Sequence, residues 1–96
     1  MPKVRRNIVN QKDVARRIVM TREALNLTPT ELAENLGISI QRLNNYESGR
    51  RPFDIDLAIA LCDQWDVTLE WLYRGKRSGL SADLLAKLRT VERAGS

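Results

Sequence analysis

The run LTPTELAENLGISIQRLNNYESGRRP, residues 27–52, decides how this chain folds. Thr28, Pro29 and Glu31 stand in the order of a helix start. A threonine hydroxyl can cap the N–H three residues on, proline suits the first helical position, and a glutamate at the third reaches back to the cap. Leu32, Ala33 and Leu36 then recur at helical spacing, and Gly37 offers a left-handed stop. Ser39 caps again, and the next segment, residues 40–48, ends at Gly49 and Pro52. Ile40 follows Leu36 by only four positions. A connection that short, turning at a glycine, forces two helices into a steep crossing, the helix-turn-helix geometry. Ala33 supplies the small residue that the crossing needs. Leu32, Leu36, Ile38, Leu43 and Tyr46 supply its apolar contacts.

On a wheel of 100° per residue the second of these helices divides by direction. With Leu43 inward, Tyr46 and Glu47 fall beside it. Gln41, Asn45 and Ser48 fall opposite, with Asn44 on one flank and Arg42 on the other, and Ile40 at the N-terminal edge. Surface helices usually carry Lys–Glu pairs at i, i+4, and this face forgoes them. It offers instead what the major groove of DNA asks for. Gln and Asn bond adenine N6 and N7 in bidentate fashion, and an aliphatic side chain contacts a thymine methyl. Arg42 has the reach for a phosphate or a guanine. Arg50 and Arg51, just past the helix, are placed for backbone contacts that set register.

The rest of the chain is helical in pattern, with no sustained alternation and no Asn-Gly or Asp-Gly hairpin. Asn10 caps a first helix with Asp13 at its third position and a stripe of Val14, Ile18, Thr21 and Leu25. Asp54 caps a fourth, with Leu57, Ala58, Leu61 and Cys62 or Trp65 inward. Thr68 caps a short fifth around Leu69 and Leu72. Residues 74–79, RGKRSG, read as a basic, flexible break. Ser81 then caps a last helix striped by Leu84, Leu85, Leu88 and Val91. The expected fold is all-α: a basic arm over 1–9, a five-helix domain over 10–75, and a linker with an amphipathic helix over 76–96.

Composition narrows the chemistry. With one cysteine and no histidine, an intrachain disulfide, a Cys/His metal site and a histidine-based catalytic triad are all excluded. Cys62 reads as a small core residue rather than a reactive thiol. Neither a cofactor nor catalysis is expected. No run nears the roughly 18 apolar residues of a membrane span, so a cytoplasmic protein is expected. The net charge is +4, unevenly spread. Residues 1–22 carry seven bases (Lys3, Arg5, Arg6, Lys12, Arg16, Arg17, Arg22) against Asp13 alone; residues 54–70 carry five acids and no base. A positive pole of this kind suits a polyanion. Lys3, Arg5 and Arg6 would then follow a groove, or else only solubilise the arm.

Arg22 lies four residues after Ile18 on the apolar face of the first helix, and Glu47 four after Leu43 on the inward face of the third. An unpaired buried charge is costly, so the two are expected to form a salt bridge locking these helices together.

Taken jointly, RI at 17–18, Arg22, LTPTELAENLGIS at 27–39, LNNYESGRRP at 43–52 and VTLEWLYRG at 67–75 resemble the lambda-repressor-like, Cro/XRE-type DNA-binding domains. The resemblance implies a five-helix fold, transcriptional repression or autoregulation, and a homodimer on a two-fold operator of double-stranded DNA. It implies base contacts at Ile40, Gln41, Arg42, Asn44 and Asn45. Backbone contacts are expected from Thr28, Thr30, Ser39, Ser48, Arg50 and Arg51. Trp65, Trp71, Leu84, Leu85, Leu88 and Val91 are candidates for the dimer seam. One departure stands out. Such domains commonly start the second helix with a glutamine that holds a phosphate, and here that place is Pro29. Two alternatives stay open at this level: an antitoxin (with a toxin partner) or restriction–modification controller on the same fold, and a protein–protein adaptor.

Overall fold

The computed structural model describes residues 9–95, so Lys3, Arg5 and Arg6 lie outside the described residues. Those described form six α-helices and no strand: α1 Gln11–Ala24, α2 Pro29–Leu36, α3 Ile40–Glu47, α4 Ile55–Trp65, α5 Leu69–Arg74 and α6 Ala82–Gly95. None is long and apolar enough to cross a membrane. Each start is marked by a polar side chain taking backbone N–H groups that the helix itself leaves unpaired. Asn10 accepts from Lys12 and Asp13, Ser39 from Arg42, Asp54 from Asp56, Thr68 from Trp71, and Ser81 from Leu84. At α2 the box is reciprocal: Thr28 Oγ1 accepts from Glu31 N at 3.1 Å and Glu31 Oε1 from Thr28 N at 2.8 Å.

One core joins all six helices. Ile18 of α1, Leu43 of α3, Leu72 of α5 and Leu88 of α6 are fully enclosed, and Leu32 and Leu61 nearly so. The turn between α2 and α3 is set by Gly37, whose φ of 69° is left-handed. Past it, Ile38 N returns to Ala33 O at 3.0 Å, closing the end of α2. Thr21 is buried without being apolar. Its hydroxyl donates to Arg17 O at 2.7 Å and accepts from Trp71 Nε1 at 2.8 Å, which ties α1 to α5 through two satisfied bonds.

The C-terminal helix departs from the expected division of the chain. α6 folds back along α1 in the most extensive helix pairing of the molecule, and Leu80, Leu84 and Leu88 enter the same core as α1–α5. The segment before it is tied down rather than loose. Arg77 pairs with Glu92 at 2.8 Å and lays its guanidinium 4.9 Å from the Trp71 ring centre. Trp71, Leu84 and Leu88, expected as seam candidates, are therefore covered within their own chain. Trp65, Leu85 and Val91 are half-buried at the margin of the core.

Smaller differences have local causes. Leu25 is the C-cap of α1, not a member of it, and is only half-buried. In α5 it is Trp71 and Leu72 that go inward, while Leu69 is half-buried. Leu57, Cys62 and Trp65 of α4 are half-buried beside the enclosed Ala58 and Leu61. Partial burial, with Asp63 adjacent, pushes the Cys62 thiol upward and so favours its protonated form.

Candidate nucleic-acid interface

The exposed face of α3 is held in place from behind. Arg22 Nε donates to Glu47 Oε2 at 2.8 Å and Nη2 to Oε1 at 3.3 Å, a two-pronged pair whose side chains are 13% and 11% exposed. Arg22 Nη1 also donates to Leu27 O at 3.1 Å, so one guanidinium joins α1, the lead-in to α2 and the end of α3. Below the pair, Leu43 and Tyr46 seat α3 in the core, Tyr46 meeting Phe53 edge-on at 5.2 Å. A close approach secures the far end. Gly49 has φ 77°, and a Cβ there would meet Lys12 Cγ at 3.3 Å. The turn thus needs glycine for its left-handed backbone, and α1 passes close beside it.

The side of α3 opposite Leu43 is uncharged. Ile40, Gln41 and Asn44 are exposed, Ile40 at 39%, and Asn45 is half-buried. Asn45 is less open than its wheel position suggests because the following turn folds back over it. Arg51 N and Ser48 Oγ both donate to Asn45 O, at 3.2 Å each. Arg42 is exposed on the flank, but its guanidinium is engaged. Nε donates to Tyr46 Oη at 2.9 Å, the group lies 5.7 Å from the Tyr46 ring centre, and Nη2 stands 4.0 Å from Asp54 Oδ2.

Charge gathers at the rim instead. Arg50 and Arg51 are exposed just past α3, and the contact at Gly49 puts Lys12 of α1 beside them. Among the described residues none of these three takes part in an ion pair. Lys12 escaped the sequence reading as a neighbour of this site because nothing local links residue 12 to residue 49. Arg17 was likewise misplaced by it. Counted toward the positive pole, it turns inward and caps α5, with Nε on Leu72 O at 2.9 Å and Nη2 on Tyr73 O at 3.1 Å. Its burial lowers the guanidinium's pKa, an effect that Asp13 partly offsets.

The start of α2 is already occupied. Thr28 and Thr30 are exposed, but the Glu31 carboxylate sits on the Thr28 N–H, and that bond holds its pKa below the ordinary 4.5. A negative charge at a helix N-terminus competes with any phosphate for the same positive end. Pro29, at the first position, has no N–H to add. Ser39 and Ser48 are exposed at the two ends of α3, Ser39 as its cap and Ser48 on the Asn45 carbonyl. Among the described residues no group of His, Cys, Asp and Glu could hold a metal ion.

A helix-turn-helix family model matches residues 18–72, more than half of the chain. Searches among curated proteins and among solved structures return no match. The matched span runs from Ile18, at the centre of α1, to Leu72 of α5. It encloses the crossing at Gly37, the Arg22–Glu47 pair and the amide face of α3. The chain belongs to the lambda-repressor-like, Cro/C1-type helix-turn-helix family of DNA-binding regulators.

Proposed function

We propose that this chain is a sequence-specific transcriptional repressor or autoregulator that binds a two-fold operator as a homodimer. α3 enters the major groove, with Gln41, Asn44 and Asn45 on base edges and Ile40 against a thymine methyl. Ser39, Ser48, Arg50 and Arg51 contact the backbone, with Thr28 and Thr30 at its margin. The observation that carries this is the exposed amide face on a helix whose other face is locked by a largely enclosed, two-pronged ion pair. A face held that firmly and left without charge is suited to direct hydrogen-bond readout. A second copy would set a second reading helix about one turn of DNA away, 34–36 Å between centres. Ile55 and Ile59, one turn apart on α4 and 51% and 43% exposed, are apolar surface still open to such a seam.

The test is selection of a duplex from a random-sequence pool, followed by footprinting upstream of the chain's own gene. Gln41→Ala and Asn45→Ala should each relax preference at a defined base pair by about 1–3 kcal/mol. Arg50→Ala should weaken all duplexes alike. Amide variants that keep full discrimination would show that another face does the reading.

A further inference from the structure

A polar hollow of about 420 Å³ opens beside the reading face, lined by Ser39, Gln41, Arg42, Asn45, Tyr46 and Arg51. Two arginines thus border one space. We infer that this hollow seats a single DNA backbone phosphate between Arg42 and Arg51, and that Tyr46 is the positioning residue for Arg42. The inference rests on the DNA-binding reading above and reassigns Arg42 from base to phosphate.

Four observations support the seat. Arg42 Nε is bound to Tyr46 Oη, one turn further along α3 and on its buried side. The guanidinium is thereby drawn toward the flank, and its terminal N–H groups remain for an anion. Tyr46 is a fixed point, 5% exposed and packed edge-on to Phe53. Arg51 is fixed at its backbone, its N–H on Asn45 O. Finally, the α2 start carries Pro29, which has no N–H, and the Glu31 carboxylate, so it offers a phosphate little. The hollow provides the cationic alternative. Asp54, 4.0 Å from Arg42 and itself half-exposed, is a weak tether that a phosphate displaces.

The probe is the duplex selected by the wild-type protein, with single-base variants, titrated between 50 and 200 mM KCl. Arg42→Ala should lower affinity by the same factor on every duplex. One phosphate fewer reduces the slope of log K against log salt by about 0.9, so the wild-type advantage should shrink about 3.5-fold across that range. Arg42→Lys should restore the slope, because a phosphate accepts a point charge where a guanine's two-pronged contact does not. Tyr46→Phe keeps the ring but removes the acceptor. It should weaken binding in the wild-type background and have no effect beside Arg42→Ala. A changed preference at one base pair with an unaltered slope would overturn the proposal, as would an Arg42→Ala variant that binds like wild type. Absence of salt-dependent binding by the wild type would refute the DNA reading itself, and the seat with it.

Discussion

Replacing Glu47 with alanine leaves the Arg22 guanidinium in a pocket where it is 13% exposed, with Leu27 O as its remaining partner. Losing one member of a buried pair costs about 3–5 kcal/mol, because the other charge stays desolvated. Residual exposure of both groups puts this pair near the lower figure, about 3 kcal/mol. A chain of 96 residues has on the order of 5–14 kcal/mol of total stability, so the loss is a large fraction of it. At about 4–8 °C per kcal/mol for a domain of this size, the melting temperature should fall by about 12–24 °C. Urea denaturation followed by far-UV circular dichroism measures the loss directly as a lower midpoint at unchanged slope. The double variant Arg22→Met, Glu47→Leu removes both charges, and apolar replacement of a buried pair is often neutral or stabilising. It should therefore recover most of the loss. A Glu47→Ala midpoint equal to wild type, or a double variant no better than the single one, would refute the claim that the pair is held out of water.

Other perturbations test other joints. Thr21→Val keeps the shape of the side chain but strands the Trp71 indole N–H, now on Thr21 Oγ1, and should cost about 1–3 kcal/mol in the same denaturation assay. Ending the chain at Gly79 removes Leu80, Leu84 and Leu88 from the core; at about 1.5–3 kcal/mol for each buried side chain, the shortened chain should melt far lower or not fold at all, whereas an independent C-terminal helix predicts little change. The Glu31 carboxylate is held below its usual pKa by the Thr28 N–H. Its contribution is therefore complete above about pH 4.5 and lost as pH falls through the depressed value. Melting curves between pH 6 and 3 should show a part of the acid destabilisation missing in Glu31→Gln.

The parts of this fold legible in the sequence are those written locally. Thr28-Pro29-Thr30-Glu31, Gly37, Ser39 and Asp54 mark helix ends through bonds spanning two to four residues, and the structure forms those caps. The Arg22–Glu47 pair was legible for a related reason. Each charge sat on an apolar stripe, and the cost of burying either alone left the other as its partner. The destination of α6 was not legible. A stripe of Leu84, Leu85, Leu88 and Val91 needs an apolar surface, but its spacing does not say whether that surface belongs to the same chain. The answer depends on α1 presenting a complementary face, and on Arg77 closing the turn against Trp71 and Glu92. Both are contacts between distant residues that no periodicity encodes.

Charge shows the same division between composition and position. The seven bases of residues 1–22 read as one positive pole, yet Arg17 and Arg22 face inward and hold α5 and α3 in place. Lys12 becomes part of a cationic rim only because Gly49 lets α1 approach the end of α3. The rim then consists of Lys12, Arg50 and Arg51 around the amide face, with Arg42 on its flank. On the proposed function such an arrangement suits sequence reading better than a diffuse pole. Charges spread over the surface raise affinity for every polyanion equally, whereas backbone contacts made beside Gln41 and Asn44 would set the register of those amides on the bases. Substituting the inward arginines should thus alter stability, and substituting the rim should alter affinity. The net charge of +4 cannot separate the two groups; the paths of their side chains do.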